Sequence, residues 1–146
     1  MDTFDLASAL RGAVSDLHKR LRKQSYSVAG SASNFSITEQ TTLSYLFRDG
    51  SLYPSELADI NRIKKQSMSQ VLNNLEEAKM IRRVVSKEDK RKVAISLTAH
   101  GKKTVEQARF ERDEWLAGAV RQVLQEKETR ILEAAIPLLQ KIVNVY

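Results

Sequence analysis

From Phe4 to about Gln24 the apolar residues Leu6, Leu10, Val14, Leu17 and Leu21 recur every three or four positions. That is the spacing of one stripe on an amphipathic helix. Ser25 to Asn34 is small and polar, with Gly30 at its middle, and reads as a loop. Ser36 followed three residues later by Glu39 predicts a capping box. The helix it opens carries Leu43, Leu46 and Phe47 on one face and closes at Asp49-Gly50. Pro54 suits the first turn of a short third helix, Ser55 to Asn61, anchored by Leu57, Ala58 and Ile60. A break near Arg62 to Lys65 leads to a fourth helix with a buried stripe of Met68, Val71, Leu72 and Leu75. It ends near Lys79, where no glycine marks the stop.

The period then changes from helical to alternating. Val84 and Val85 precede a charged turn, after which Val93, Ile95 and Leu97 alternate with Ala94 and Ser96. Two short strands about a turn make a hairpin. Thr98 caps a long helix running past Trp115, with a bend expected at Gly118. A last helix spans about Glu126 to Val145, with a kink expected at Pro137. The order α-α-α-α-β-β-α-α predicts a mainly α chain with a small β-hairpin wing. Residues 35–98 form a winged helix-turn-helix, and residues 1–34 and 99–146 supply a helical dimerisation region.

The fourth helix can be read as a ruler. With its buried centre between Val71 and Leu72 and about 100° per residue, Gln66, Gln70, Asn73 and Glu77 point away from the core. Ser67, Ser69 and Asn74 flank them. An ordinary solvated helix face mixes Lys, Glu and Arg, whereas this one is amides and hydroxyls. Gln and Asn can pair with adenine in bidentate fashion, and Ser can bond a phosphate or a base edge.

Charge singles out the same region. Of 24 basic and 18 acidic residues, ten and four lie between Arg62 and Lys92, which leaves fourteen of each elsewhere. The whole formal charge of +6 therefore belongs to one helix and one hairpin. A chain arranged this way is built to meet a polyanion. Lys87, Lys90, Arg91 and Lys92 surround the hairpin tip, where they can track a phosphate backbone or place an arginine in a narrow minor groove. Asp89 among them is read either as the partner of a neighbouring arginine or as a turn former.

Other chemistries find little support. The 146 residues suffice for one domain with a real core. There are no cysteines, so disulfides, thiol nucleophiles and thiolate metal sites are excluded. His18 and His100 lie far apart and carry no metal-ligand spacing. No glycine-rich phosphate loop or nucleophile elbow is present, so neither a catalytic residue nor a cofactor or metal is expected. The start of the chain lacks a secretion signal, and no apolar run approaches the roughly 18 residues of a membrane span. A cytoplasmic location is the expectation.

Four blocks in register resemble the multiple-antibiotic-resistance regulator (MarR) family of bacterial transcription factors. Ser55-Glu56-Leu57-Ala58 is similar to the start of the family's first motif helix, and Ser69 to Glu76 to its recognition helix. Asp89-Lys90-Arg91 resembles the Asp-x-Arg wing signature, and Leu97-Thr98-Ala99-His100-Gly101 the Leu-Thr-x-x-Gly that opens the next helix. The resemblance implies a homodimer with interlocking terminal helices, bound to a pseudo-palindromic operator on double-stranded DNA, most often as a repressor. It makes Arg91 the candidate minor-groove arginine and Asp89 its partner. The expected DNA-binding residues are Lys65, Gln66, Ser67, Ser69, Gln70, Asn73, Asn74, Lys87, Asp89, Lys90, Arg91 and Lys92.

The chain departs from the family pattern at three points. Gln70 replaces a common arginine, Lys79 replaces the usual helix-ending glycine, and Lys64 is a poor N-cap. Family members often hold phenolic or other aromatic acids, which makes His18, Arg22, Tyr26, Phe35 and Tyr45 the expected effector lining. Aromatics at helix boundaries also serve as core or staple residues. The alternative to a DNA-binding regulator is a winged-helix interaction module whose basic face meets an acidic protein. That alternative explains the charge but not the run of amides.

Overall fold

The computed structural model describes residues 1–23 and 35–145. In chain order the elements are α1 (Thr3–Lys23), α2 (Ile37–Asp49), β1 (Ser51–Leu52), α3 (Pro54–Asn61), α4 (Lys65–Glu77), β2 (Ile81–Val85), β3 (Val93–Leu97), α5 (Ala99–Val123) and α6 (Glu126–Val143). The expected loop from Ser25 to Asn34 lies outside the described residues. The chain forms two compact units, Met1–Lys23 with Glu111–Tyr146, and Gln24–Phe110.

The second unit is the winged helix-turn-helix. Ser36 opens α2 with the full reciprocal capping box: its Oγ accepts from the Glu39 N–H, and its own N–H donates to Glu39 Oε1. Gly50 ends α2 with φ +84°, in the region open to a residue without Cβ. Leu43, Leu46, Leu57, Met68, Leu72 and Leu75 from the three helices meet Met80, Ile81, Ile95, Val105 and Ala108 in one buried cluster. Each such aliphatic side chain contributes about 1.5–3 kcal/mol when fully buried, so this cluster outweighs any cap or surface pair nearby. The buried Thr42 is satisfied, donating to Thr38 O at 2.8 Å and accepting from Asn61 Nδ2 at 3.2 Å.

The sheet has three strands, in the order β1-β3-β2, all antiparallel. The hairpin pairs Ile81 with Leu97 and Val85 with Val93. The third strand, pairing Ser51 with Ser96 and Leu52 with Ile95, was not foreseen, because two residues are too few to show an alternation.

Both helices of the helix-turn-helix end in Schellman turns built on residues other than glycine. At the end of α3, Arg62 has φ 52° and donates to Asp59 O, while Ile63 donates to Ala58 O. At the end of α4, Lys79 has φ 61° and donates to Glu76 O, while Met80 donates to Leu75 O. The missing glycine is thus answered by a left-handed lysine. Thr98 completes the joint: its hydroxyl donates to Lys79 O at 2.6 Å and accepts from the Gly101 N–H at 2.9 Å. A Cβ on Gly101 would lie 2.0 Å from the Met80 carbonyl oxygen, which gives Leu-Thr-x-x-Gly a steric reason.

The first three turns of α5 bury Gly101, Thr104, Val105 and Ala108, so the winged-helix unit extends to Phe110. The expected bend at Gly118 is corrected: α5 is helical without a break from Ala99 to Val123. One interior glycine costs a helix only about 1 kcal/mol and removes no hydrogen bond. Helix α6 runs from Glu126 to Val143 with Pro137 inside it, within the span the sequence predicts.

In the first unit, neither α1 nor α6 has a buried residue. Leu6, Val14, Leu17, Ile131, Leu138 and Ile142 are all exposed. An apolar groove of about 530 Å³ runs between the start of α1 and the end of α6, lined by Leu6, Leu10, Val14, Leu139, Ile142 and Val143 among others.

Candidate nucleic-acid interface

Helix α4 buries Met68, Leu72 and Leu75, with Val71 half-buried. On the outward side Gln66, Gln70 and Asn73, with Ser67, Ser69 and Asn74 on its flanks, are all exposed, as the helical ruler requires, and Lys65 is exposed in the first turn. Lys64 stands at the N-cap with extended backbone and no side-chain cap hydrogen bond.

The exposed amides are ordered by neighbours. Gln70 Nε2 donates to Asn74 Oδ1 at 3.0 Å, one turn along the helix. Arg83, from β2, donates through Nη2 to Asn73 Oδ1 at 2.9 Å, and its Nε lies 3.3 Å from Glu76 Oε2. One guanidinium therefore engages the carbonyl end of Asn73 and partners Glu76. The contacts within the protein thus use the carbonyl end of Asn73 and the NH₂ end of Gln70. Sequence reasoning missed Arg83, since no local spacing links residue 83 on a strand to residue 73 on a helix.

The wing follows β2. Lys87, Lys90, Arg91 and Lys92 are exposed at its tip. Asp89 is half-buried and accepts from the Arg91 backbone N–H at 3.0 Å and from Arg91 Nε at 3.2 Å. These hydrogen bonds, the backbone one first, hold the Asp89 carboxyl below its ordinary pKa. Of the two readings of Asp89, partner of an arginine and turn former, the geometry satisfies both. Lys92 Nζ stands 5.0 Å over the Tyr53 ring.

The expected effector residues fall in different places. His18 is exposed and Arg22 half-buried on α1. Phe35 packs on the core of the winged-helix unit, and Tyr45 lies under the Arg48 guanidinium at 4.5 Å. Tyr26 is outside the described residues. Among the described residues no group of His, Asp and Glu is arranged to hold a metal ion, and no helix is long and apolar enough to cross a membrane.

Comparison with known proteins agrees with this arrangement. The MarR family model matches residues 34–92, from before the capping box to the last wing lysine. An HTH-type transcriptional regulator of Mycobacterium tuberculosis is 32% identical over 139 residues, covering 95% of this chain and 93% of the relative. A protein of Pseudomonas aeruginosa named as a transcriptional regulator superposes with a TM-score of 0.83 at 29% identity, covering 98% of this chain and 96% of that one. A mutant form of Escherichia coli MarR superposes with a TM-score of 0.74 over 94% of this chain and 96% of its own, and at 19% identity it speaks for the fold alone. With the wing signature, the amide-faced helix and the steric glycine all in register, the chain belongs to the MarR family of winged-helix, DNA-binding transcriptional regulators.

Proposed function

We propose that this chain is a repressor that binds a pseudo-palindromic operator as a homodimer. The observation that carries the reading is the division of labour within one surface. An uncharged polar face on α4 stands beside a cationic wing whose arginine is held by Asp89. Phosphate contacts set register, and base contacts set specificity. Lys65, Gln66, Ser67, Ser69, Gln70, Asn73 and Asn74 are the major-groove set, and Lys87, Asp89, Lys90, Arg91 and Lys92 the wing set. Asn73 and Gln70 each keep an N–H and a carbonyl lone pair beyond their contact within the protein, enough for a base edge.

The exposed apolar stripes of α1 and α6 support the dimer. Faces of this kind need more cover than the chain itself supplies, and a two-fold assembly would match a two-fold operator. Release by a small aromatic or phenolic ligand extends the reading, with His18, Arg22, Tyr26, Phe35 and Tyr45 as its proposed contacts. A concentration-dependent thermal shift with aromatic carboxylates is the expected result of a ligand screen.

Selection from a random duplex library tests the main reading. The expected product is a palindrome with half-sites about one helical turn apart, bound with steep salt dependence. Arg91→Ala should lower affinity for that duplex by roughly 5- to 150-fold, corresponding to about 1–3 kcal/mol, and leave assembly unchanged. Failure to bind any duplex at low salt would instead favour an acidic protein partner.

A further inference from the structure

Ser86 is a buried hydroxyl, 8% exposed, at the point where β2 gives way to the wing turn. Its Oγ accepts from the backbone N–H groups of Glu88 at 3.2 Å and Asp89 at 3.3 Å. A hydroxyl oxygen has two lone pairs and one proton. With both lone pairs engaged, the proton is directed to the remaining neighbour, Tyr53 Oη, at 2.8 Å.

Tyr53 is the N-cap residue of α3, and its backbone N–H is held by Glu56 Oε1 at 2.9 Å. The Tyr53–Ser86 bond therefore ties the wing to the first helix of the helix-turn-helix across 33 residues of sequence. The tip is closed from within by Ser86 N–H to Lys92 O at 2.9 Å and Lys92 N–H to Asp89 O at 3.0 Å. The residue that Ser86 fixes through its N–H, Asp89, is the one that holds Arg91.

The exposed Asp89–Arg91 pair cannot fix the wing alone. The Arg91 side chain is 92% exposed, and ion pairs in water are worth little and reorient freely. A buried hydroxyl with three partners is different, because losing one leaves a polar group unsatisfied away from water.

We propose that Tyr53 and Ser86 are positioning residues for DNA binding, holding the wing tip so that Arg91 meets the groove already oriented. The proposal rests on the reading of Arg91 as a DNA contact. Neither residue needs to touch the nucleic acid. Their contribution is to remove the ordering cost the tip would otherwise incur on binding.

A double-mutant cycle in the full chain, using the duplex recovered by selection, tests this. Tyr53→Phe deletes one oxygen and keeps both the ring beneath Lys92 and the backbone bond to Glu56. It should weaken binding by about 3- to 10-fold, the net effect of one hydrogen bond. In an Arg91→Ala background the same change should have less than about a twofold effect, the non-additivity expected of coupled residues. The salt slope should stay constant in Tyr53→Phe and fall by about one in Arg91→Ala. Exchange of the Glu88 and Asp89 amides should quicken in Tyr53→Phe, and this readout stands even where Ser86→Ala fails to fold.

Two outcomes overturn the proposal while leaving the DNA reading intact: full affinity in Tyr53→Phe, or an equal loss with and without Arg91. Unchanged binding in Arg91→Ala alone would remove the DNA reading of the wing, and the proposal with it.

Discussion

The winged-helix unit and the terminal helices carry apolar residues at the same helical spacing, yet only one of them is filled. Leu43, Leu57 and Leu75 are 0% exposed, whereas Ile131 and Ile142, on an equally regular stripe, are 67% and 60% exposed. Periodicity marks a face that seeks cover; it does not say where the cover comes from. In the winged-helix unit three short helices and a hairpin converge on one point. In the terminal unit a long apolar face has no such convergence, and the proposed partner is a second copy of the chain.

The contrast can be broken most forcefully inside the filled core. Leu46→Ala should cost about 2–5 kcal/mol by chemical denaturation, at any protein concentration. Gly101→Ala should also destabilise strongly, because its Cβ would meet the Met80 backbone carbonyl and not a movable side chain.

A change of intermediate size sharpens the other half. Ile142→Ala removes a side chain that is 60% exposed in the single chain, where a surface substitution changes stability by only about 0.5 kcal/mol. Burial against a second copy would raise this to about 1–2 kcal/mol per subunit, seen as a weaker dimer by sedimentation. Wild-type melting temperature should rise with protein concentration, and the variant's should rise less steeply. Equal behaviour of the two would end the dimer reading of α6.

The smallest expected effect has the opposite sign. Lys79 holds a left-handed conformation that costs an L-residue about 1–2 kcal/mol, partly offset by the extra freedom glycine has when unfolded. Lys79→Gly should therefore stabilise the winged-helix unit by about 0.5–1 kcal/mol in denaturation. A loss of stability would show that the lysine side chain, not the backbone, closes α4.

Helix positions, the capping box at Ser36 and the amide face of α4 were legible because each rests on spacing within a single helix, and the hairpin because its two strands flank one short turn. The Asp89–Arg91 pair was legible for the same reason. The two-residue strand β1 was not, since its pairing with β3 reaches across more than forty residues. Gly118 misled in the other direction: glycine permits a bend but does not require one, and α5 continues through it.

The sequence alone determined the order of elements, the exposed amide face of α4 and the concentration of charge beside it, for these follow from local periodicity and composition. Only the tertiary structure decided how that charge is used. Arg83 reaches across to α4 to engage Asn73 and partner Glu76, while Tyr53 reaches Ser86 to brace the proposed DNA-contacting tip that carries Arg91. Each of these contacts joins residues from different elements, where chain folding sets the distance and no spacing along the sequence encodes it.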